Sequence, residues 1–306
     1  MITTIVLSGG GTIGLHYLGA LTCLNEQGFW RQEDIRRIYG TSVGSILGAC
    51  LCLGYDWPTL NKYILERPWH EAFTVSGKQV FEVYKTKGLF DKRLAEIVFK
   101  PLLEAKDLDL NITLQQLFDF CHIDLYLYTF ELNSFRTVEL SHHSHPELSL
   151  MQAVTMSSAV PVLFQPTCFS DSSFCGSGCF IDGGVMANYP LSFVDPSVPK
   201  EEILGFHLRE RGETPPRASN VTNESTILDF VVAFSMNAMQ FITNTMRYDE
   251  IPHEVVCKSE ENPLALDVIQ ACIKKADKRK QLFDQGYQAG QRFLSKKTQL
   301  QLQDSV

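Results

Sequence analysis

Three short stretches of this sequence carry residue types that could do chemistry. Gly40-Thr41-Ser42-Val43-Gly44 is a G-x-S-x-G, the pattern of a strand-to-helix elbow that lifts a serine hydroxyl above a sheet as a nucleophile. Gly9-Gly10-Gly11-Thr12-Ile13-Gly14 offers a run of backbone N–H donors that no side chain crowds. Asp182-Gly183-Gly184 sets a carboxylate between the apolar Cys179-Phe180-Ile181 and a glycine pair. A nucleophile, an acid and an anion-binding loop together are the parts of an acyl-transfer site. Each stretch alone has a plainer reading as a turn, so their convergence carries the functional reading.

The elements that must position these groups follow from the hydrophobic pattern. Thr3–Leu7 reads as a strand, Leu15 to about Gln27 as a helix with Leu15, Leu18, Leu21 and Leu24 on one stripe, and Ile35–Tyr39 as a second strand. Ser45–Leu53 is a small-residue helix that must pack closely. Two parallel strands joined by a helix require a right-handed crossover and a buried sheet. Further on, Asp56–Glu66, Asp91–Ala105, Leu114–Cys121 with Thr113 as cap, and Leu148–Ser158 read as helices. Ile123–Leu132 alternates as a strand and can pair with Phe135–Leu140, while Gly178–Ile181 and Ile203–Leu208 are two more strands. Parallel sheets collect their chemistry at the carboxyl ends of strands, where Ser42, Asp182 and the Gly9–Gly11 turn all fall.

The first glycine turn also satisfies G-x-G-x-x-G, the dinucleotide fingerprint. That reading needs an acid at the end of the second strand, and this strand ends Ile38-Tyr39-Gly40, so a nicotinamide-dependent enzyme is disfavoured. A histidine base for Ser42 is hard to find. His207 sits inside an apolar strand, His253 follows Pro252 in a C-terminal appendage, and His142, His143 and His145 form a polar turn expected to be solvated rather than liganding. His16, near the glycine turn, could at most position substrate.

Composition narrows the class. With 306 residues, 44% hydrophobic and 20% charged, the chain is globular rather than disordered. A formal net charge of −8 argues against bulk nucleic-acid binding. No apolar run is long enough to span a bilayer, and the first ten residues read as a strand rather than a secretory signal. The nine cysteines are scattered without a C-x-x-C pair, so reduced thiols in a cytoplasmic setting are expected. The grouping Cys168, Cys175 and Cys179 fits no zinc pattern. The sequons at Asn111, Asn220 and Asn223 carry no meaning without export.

In these motifs the chain resembles the patatin-like phospholipase family. Ser8–Gly14 is similar to that family's glycine-rich oxyanion stretch, Gly40-Thr41-Ser42-Val43-Gly44-Ser45 to its G-T-S-x-G nucleophile, and Asp182-Gly183-Gly184 to its D-G-G/A. Ser157-Ser158-Ala159-Val160-Pro161, with Phe164 and Pro166, and Asn188-Tyr189-Pro190 resemble two further family stretches. The resemblance covers about residues 2–210. It implies an α/β protein, a three-layer α/β/α patatin-like fold with a mostly parallel central sheet and a helical C-terminal extension. It also implies a catalytic Ser42–Asp182 dyad with no histidine, metal or cofactor, and an oxyanion hole at Gly9, Gly10 and Gly11. Gly14, Gly40, Gly44, Gly183 and Gly184 would support the motifs. The implied reaction is hydrolysis of phospholipid or lysophospholipid esters. Ile13 departs from the Lys or Arg usual in the family, and Ser45 from the frequent alanine. The alternative is therefore a catalytically weak or inactive lipid- or protein-binding module on the same fold.

Residues 1–210 are the expected catalytic domain and 211–306 a mainly helical extension packed on the core, with 211–225 as the linker candidate. The extension holds Lys274, Lys275, Lys278, Arg279, Lys280, Arg292, Lys296 and Lys297 against only Asp277 and Asp284. The plain reading is a solvated helix face; the other is peripheral contact with anionic lipid, worth about 1 kcal/mol per well-placed charge. The apolar run within 227–246 reads first as core packing and second as a lid or acyl-chain wall.

Overall fold

The computed structural model describes residues 1–72, 85–91, 93–169, 178–208, 221–225, 227–245, 248–259, 261, 263 and 265–303. Cys175, Asn220, Met246 and positions 211–220 of the linker candidate lie outside the described residues.

The apolar run at the start forms β1 (Thr4–Leu7), followed by α1 (Gly14–Glu26), β2 (Arg37–Thr41) and α2 (Val43–Cys52). β1 and β2 are parallel, with Leu7 opposite Gly40, as the sequence requires of this unit. Asp56 caps α3 (Trp57–Glu66) by accepting the Thr59 N–H, and a single turn, α4 (Trp69–Ala72), follows. After β3 (Gly88–Phe90) come α5 (Arg93–Glu104) and α6 (Leu114–Cys121), the latter opened by a complete capping box between Thr113 and Gln116. β4 (Asp124–Glu131) and β5 (Arg136–Leu140) form the expected antiparallel hairpin. Next come α7 (Leu150–Ser157), β6 (Val162–Phe164), β7 (Thr167–Phe169), β8 (Gly178–Asp182) and β9 (Ile203–His207). The chain ends with α8 (Ile227–Thr245), β10 (His253–Val256), α9 (Leu266–Lys274) and α10 (Ala276–Gln303).

The central sheet runs β10-β9-β1-β2-β4-β8-β7, with β5 pairing β4. Its β10-β9-β1-β2-β4 portion is parallel; β5, β7 and β8 are antiparallel additions. Alternation sorts the strand residues onto two faces. Ile5, Leu7, Ile38, Leu125, Leu127 and Leu204 join the cluster containing the stripes of α1 and α2. Val6, Tyr39, Tyr128 and Ile203 meet Tyr189, Leu191 and Val194 on the other face, from a segment of short 3-10 turns. Helices therefore cover one side of the sheet, and the segment of 3-10 turns covers the other.

The region after residue 250 is woven into this body. His253, which the sequence suggested was in an appendage, lies in β10 and extends the sheet beside β9. A four-residue edge strand next to a proline is too short for periodicity to reveal. α10 docks on α1 by backbone approach: a Cβ on Gly19 would lie 2.0 Å from the Phe283 carbonyl oxygen, and one on Gly286 2.0 Å from that of His16. The basic stretch is only partly a surface. Arg279 is buried and donates to the carbonyls of Leu65, Arg67 and Cys272, so its charge completes the carboxyl ends of α3 and α9 instead of facing solvent. Lys278 pairs with Glu261.

Candidate active site

β4 brings the site together. Its adjacent residues Tyr128 and Thr129 pair with Thr41, the last residue of β2, and with Asp182, the last of β8. Because β2 runs parallel and β8 antiparallel to β4, both strands deliver their carboxyl ends to that point. Ser42 follows at once with φ 56° and ψ −121°, the strained angles of a nucleophile elbow. α2 begins at Val43, two residues before the sequence suggested, so the serine sits directly at the helix's positive end. The elbow tolerates no Cβ at its flanks. One on Gly44 would lie 2.3 Å from the Leu7 carbonyl oxygen, and one on Gly40 2.6 Å from that of Gly44. Gly14 faces Val43 and Gly183 faces the Tyr128 carbonyl in the same close way.

Neighbouring hydroxyls brace the elbow. The Ser42 N–H donates to Ser157 Oγ (3.1 Å), which donates to the Tyr128 carbonyl (2.6 Å). Ser45 donates to the Ser42 carbonyl (2.5 Å), a bond that alanine could not make. Thr41 donates to the Ala187 carbonyl (2.6 Å). Ser157 was legible only as part of a motif stretch and Ala187 not at all, since a bracing role depends on contacts more than a hundred residues away along the chain.

Asp182 is buried. Its own N–H donates to the Ala159 carbonyl (2.9 Å), and its Oδ1 accepts the Gly184 N–H (2.7 Å). Burial pushes the carboxyl up to about 6, opposed by hydrogen-bonding interactions with the Ser42 hydroxyl and the Gly184 amide. The Ser42 contact is loose: Oδ2 meets no donor in full hydrogen-bond geometry among the described residues. A buried acceptor left open is what a proton-accepting oxygen requires, and such contacts tighten when substrate binds.

The glycine loop divides its roles. Gly10 (φ 146°) and Gly11 (φ 59°) take backbone angles that side chains disfavour, and their N–H groups have no backbone partner among the described residues. The Gly9 N–H, expected to join them, instead donates to the Asn188 carbonyl (2.9 Å). That amide is spent on holding the loop. Gly9 matters through space, since a Cβ there would lie 3.1 Å from Ser42 Cβ. Thr12 is tied through its N–H and hydroxyl to the Pro263 carbonyl, a support from the C-terminal region that the sequence did not reveal. Ile13 is buried in the core, so apolar packing anchors the loop where the family's usual cation is absent.

Ser42 opens onto a cavity of about 720 Å³ whose wall includes Ile46, Trp69, Phe90, Val98, Phe99 and Leu163. No histidine lines it among the described residues. His16 is buried on Gln285 and pushed down to about 4 by desolvation; His207 stacks on Tyr189.

The sequence model for the patatin-like phospholipase family matches residues 5–195. An uncharacterised protein of Acanthamoeba polyphaga mimivirus is 27% identical over 67% of this chain, and a probable lipid hydrolase of Invertebrate iridescent virus 6 is 25% identical over 61%. The matches span 65% and 61% of those two relatives' own lengths. YqhO of Bacillus subtilis (strain 168), also uncharacterised, is 25% identical over 86% of both chains. Among solved structures, VipD of Legionella pneumophila aligns with a TM-score of 0.54 at 16% identity, over 96% of this chain and 67% of its own. ExoU in its complex with SpcU from Pseudomonas aeruginosa aligns at 0.50 with 17% identity, over 97% and 52%. These two likenesses show the fold. The extent of the sequence match, over the same stretch that folds into the elbow, the glycine loop and the buried aspartate, establishes that the chain belongs to the patatin-like phospholipase family.

Proposed function

We propose that this protein is a lipid acyl hydrolase that cleaves ester bonds of phospholipids or lysophospholipids through an acyl-serine intermediate, with Ser42 and Asp182 as a dyad that needs no metal. The observation that carries this reading is the open Oδ2 of a buried Asp182, held against the Ser42 elbow beside an apolar cavity. Ser42 Oγ attacks the ester carbonyl carbon while Asp182 Oδ2 takes its proton. The Gly10 and Gly11 amides hold the tetrahedral oxyanion, each such donor being worth about 2.7–4 kcal/mol. Collapse expels the alcohol, which regains a proton from Asp182. Asp182 then deprotonates water, which attacks acyl-Ser42 and releases the fatty acid. Family membership and the viral relative named as a probable lipid hydrolase support the substrate class.

A fluorophosphonate probe tests the reading directly. One equivalent of label is expected on Ser42, assigned by mass spectrometry of the digested full chain, in buffer with or without chelator. Absence of label would favour the inactive-module alternative.

A water-insoluble substrate must be met at an interface, and we propose that α8 makes that peripheral contact. Ile227, Phe230, Phe234 and Phe241 are exposed at three-, four- and seven-residue spacing along one stripe, with Phe234 and Phe241 67% and 70% exposed. α8 packs beside Gly183–Val185, next to Asp182, and beside β6, which lines the cavity. No described helix is long and apolar enough to cross a membrane. Replacing Phe230, Phe234 and Phe241 together by serine should weaken sedimentation with zwitterionic phosphatidylcholine vesicles by about 100-fold, at roughly 1 kcal/mol per ring. Hydrolysis of a soluble short-chain ester should persist, and unchanged vesicle binding would refute the contact.

A further inference from the structure

The far end of the sheet holds a second cluster of chemistry-bearing side chains that the hydrolysis does not use. Asp124 opens β4 opposite Arg37, the first residue of β2, whereas the catalytic groups gather around Tyr128 and Thr129 at the other end of the pairing. The turn after β5 returns to this end and presents His142 and His143. Their Nε2 atoms lie 3.6 and 3.5 Å from the same oxygen, Asp124 Oδ1. The three candidate donor atoms all fall within 4.8 Å of one another.

These distances have a specific meaning. A tetrahedral zinc ion with bonds of about 2.0–2.2 Å places its ligand atoms roughly 3.3–3.5 Å apart along each edge. The two nitrogen–oxygen separations match such edges and are too long for good hydrogen bonds. The two imidazole rings lie against each other with centroids 3.8 Å apart, so both direct their Nε2 atoms toward the same carboxylate oxygen. The ligands are also held in advance. His142 is buried and its ring stacks on Phe118 at 3.9 Å, while His143 lies over Tyr126 and is 59% exposed on its side chain. The turn is pinned by the His145 N–H on the Ser141 carbonyl (2.8 Å) and by Ser144 on Ser141. Arg37 Nε stands 4.0 Å from Asp124 Oδ2 and would orient the carboxylate from the outer shell. The sequence suggested a solvated polar turn; burial of His142 and the shared carboxylate oxygen are products of the β4–β5 hairpin.

We propose that Asp124, His142 and His143 bind one divalent cation of the zinc class, with water completing the fourth position. Two imidazoles and a carboxylate suit zinc over calcium or magnesium, which require mostly oxygen donors. The ion would tie the turn after β5 to the start of β4 and close the open end of the hairpin. It would take no part in hydrolysis, which lies at the other end of β4.

The test is zinc titration of the metal-free 306-residue chain, followed calorimetrically and by thermal unfolding. One equivalent is expected to bind and raise the melting temperature. Because His142 is buried, His143→Ala and Asp124→Asn are the informative variants, and each should weaken binding by at least about tenfold. Cobalt(II) in place of zinc should show visible d–d bands without a thiolate charge-transfer band. Fluorophosphonate labelling of Ser42 should be equal in the metal-free and zinc-loaded protein. Unaltered affinity in both variants, no binding by the wild-type chain, or a thiolate band, which would assign the ion to cysteines such as Cys121, would overturn the site.

Discussion

Ser42→Ala should lower the rate of ester hydrolysis by about 10⁴- to 10⁶-fold while leaving the fold intact. In the proposed mechanism the hydroxyl oxygen is the only atom lost that forms or breaks a bond, and the elbow's strain is held by neighbours that the substitution leaves alone. The Ser42 N–H still donates to Ser157, and Gly40 and Gly44 still pack on backbone. Residual turnover would come from the free amides of Gly10 and Gly11, which can still stabilise an oxyanion formed by water. Steady-state hydrolysis of a chromogenic ester and of a phospholipid both read this result. A variant retaining a tenth or more of wild-type activity would remove Ser42 from the mechanism.

Asp182→Asn should move activity and stability in opposite directions. Asparagine cannot take the serine proton, so a loss of about 10³-fold or more is expected at pH 8. As the proposed base, the wild-type carboxylate must be ionised to act, so the rate should rise with pH through an apparent pKa near 6. Stability follows the reverse sign. The folded carboxyl titrates above its unfolded value of about 3.9, so its neutral form is the one favoured by folding. The contribution is fully present below about pH 4 and is lost as pH rises through about 6. Holding the ionised group in the core at pH 8 therefore costs on the order of 3 kcal/mol. Asparagine can keep the acceptor for the Gly184 N–H without that cost. Urea unfolding should show the variant more stable than wild type by up to about 3 kcal/mol at pH 8, with the gap closing near pH 4. A variant less stable than wild type at pH 8 would contradict the buried, strained carboxylate.

Both effects depend on placements visible in the sequence to different degrees. The parallel β1–α1–β2–α2 unit follows from local pattern, because apolar strands, a glycine turn and a striped helix recur within fifty residues. Thr113 capping and the β4–β5 hairpin are also local and were legible. The short strands β3, β6, β7 and β10 were not, since three or four residues hold too little alternation to stand out from loop. The role of Arg279 was hidden for a related reason. A basic residue in a basic helix looks solvated until the carbonyls of Leu65 and Arg67 are brought to it from far along the chain.

What the amino-acid order determines by itself is the chemical inventory: an elbow serine, an aspartate at a strand end and a glycine loop, in the sequence of a family that uses them. Those features rest on backbone conformations and turn types that neighbouring residues dictate. Tertiary structure alone decides which groups are left free to act. Pairing of Tyr128 and Thr129 with two strand ends unites Ser42 with Asp182. The Asn188 carbonyl takes the Gly9 amide and leaves those of Gly10 and Gly11. Burial raises the proton affinity of Asp182. Hydrogen-bond satisfaction and desolvation are properties of the packed interior, where partners come from distant parts of the chain, and so the division between working and spent groups appears only on folding.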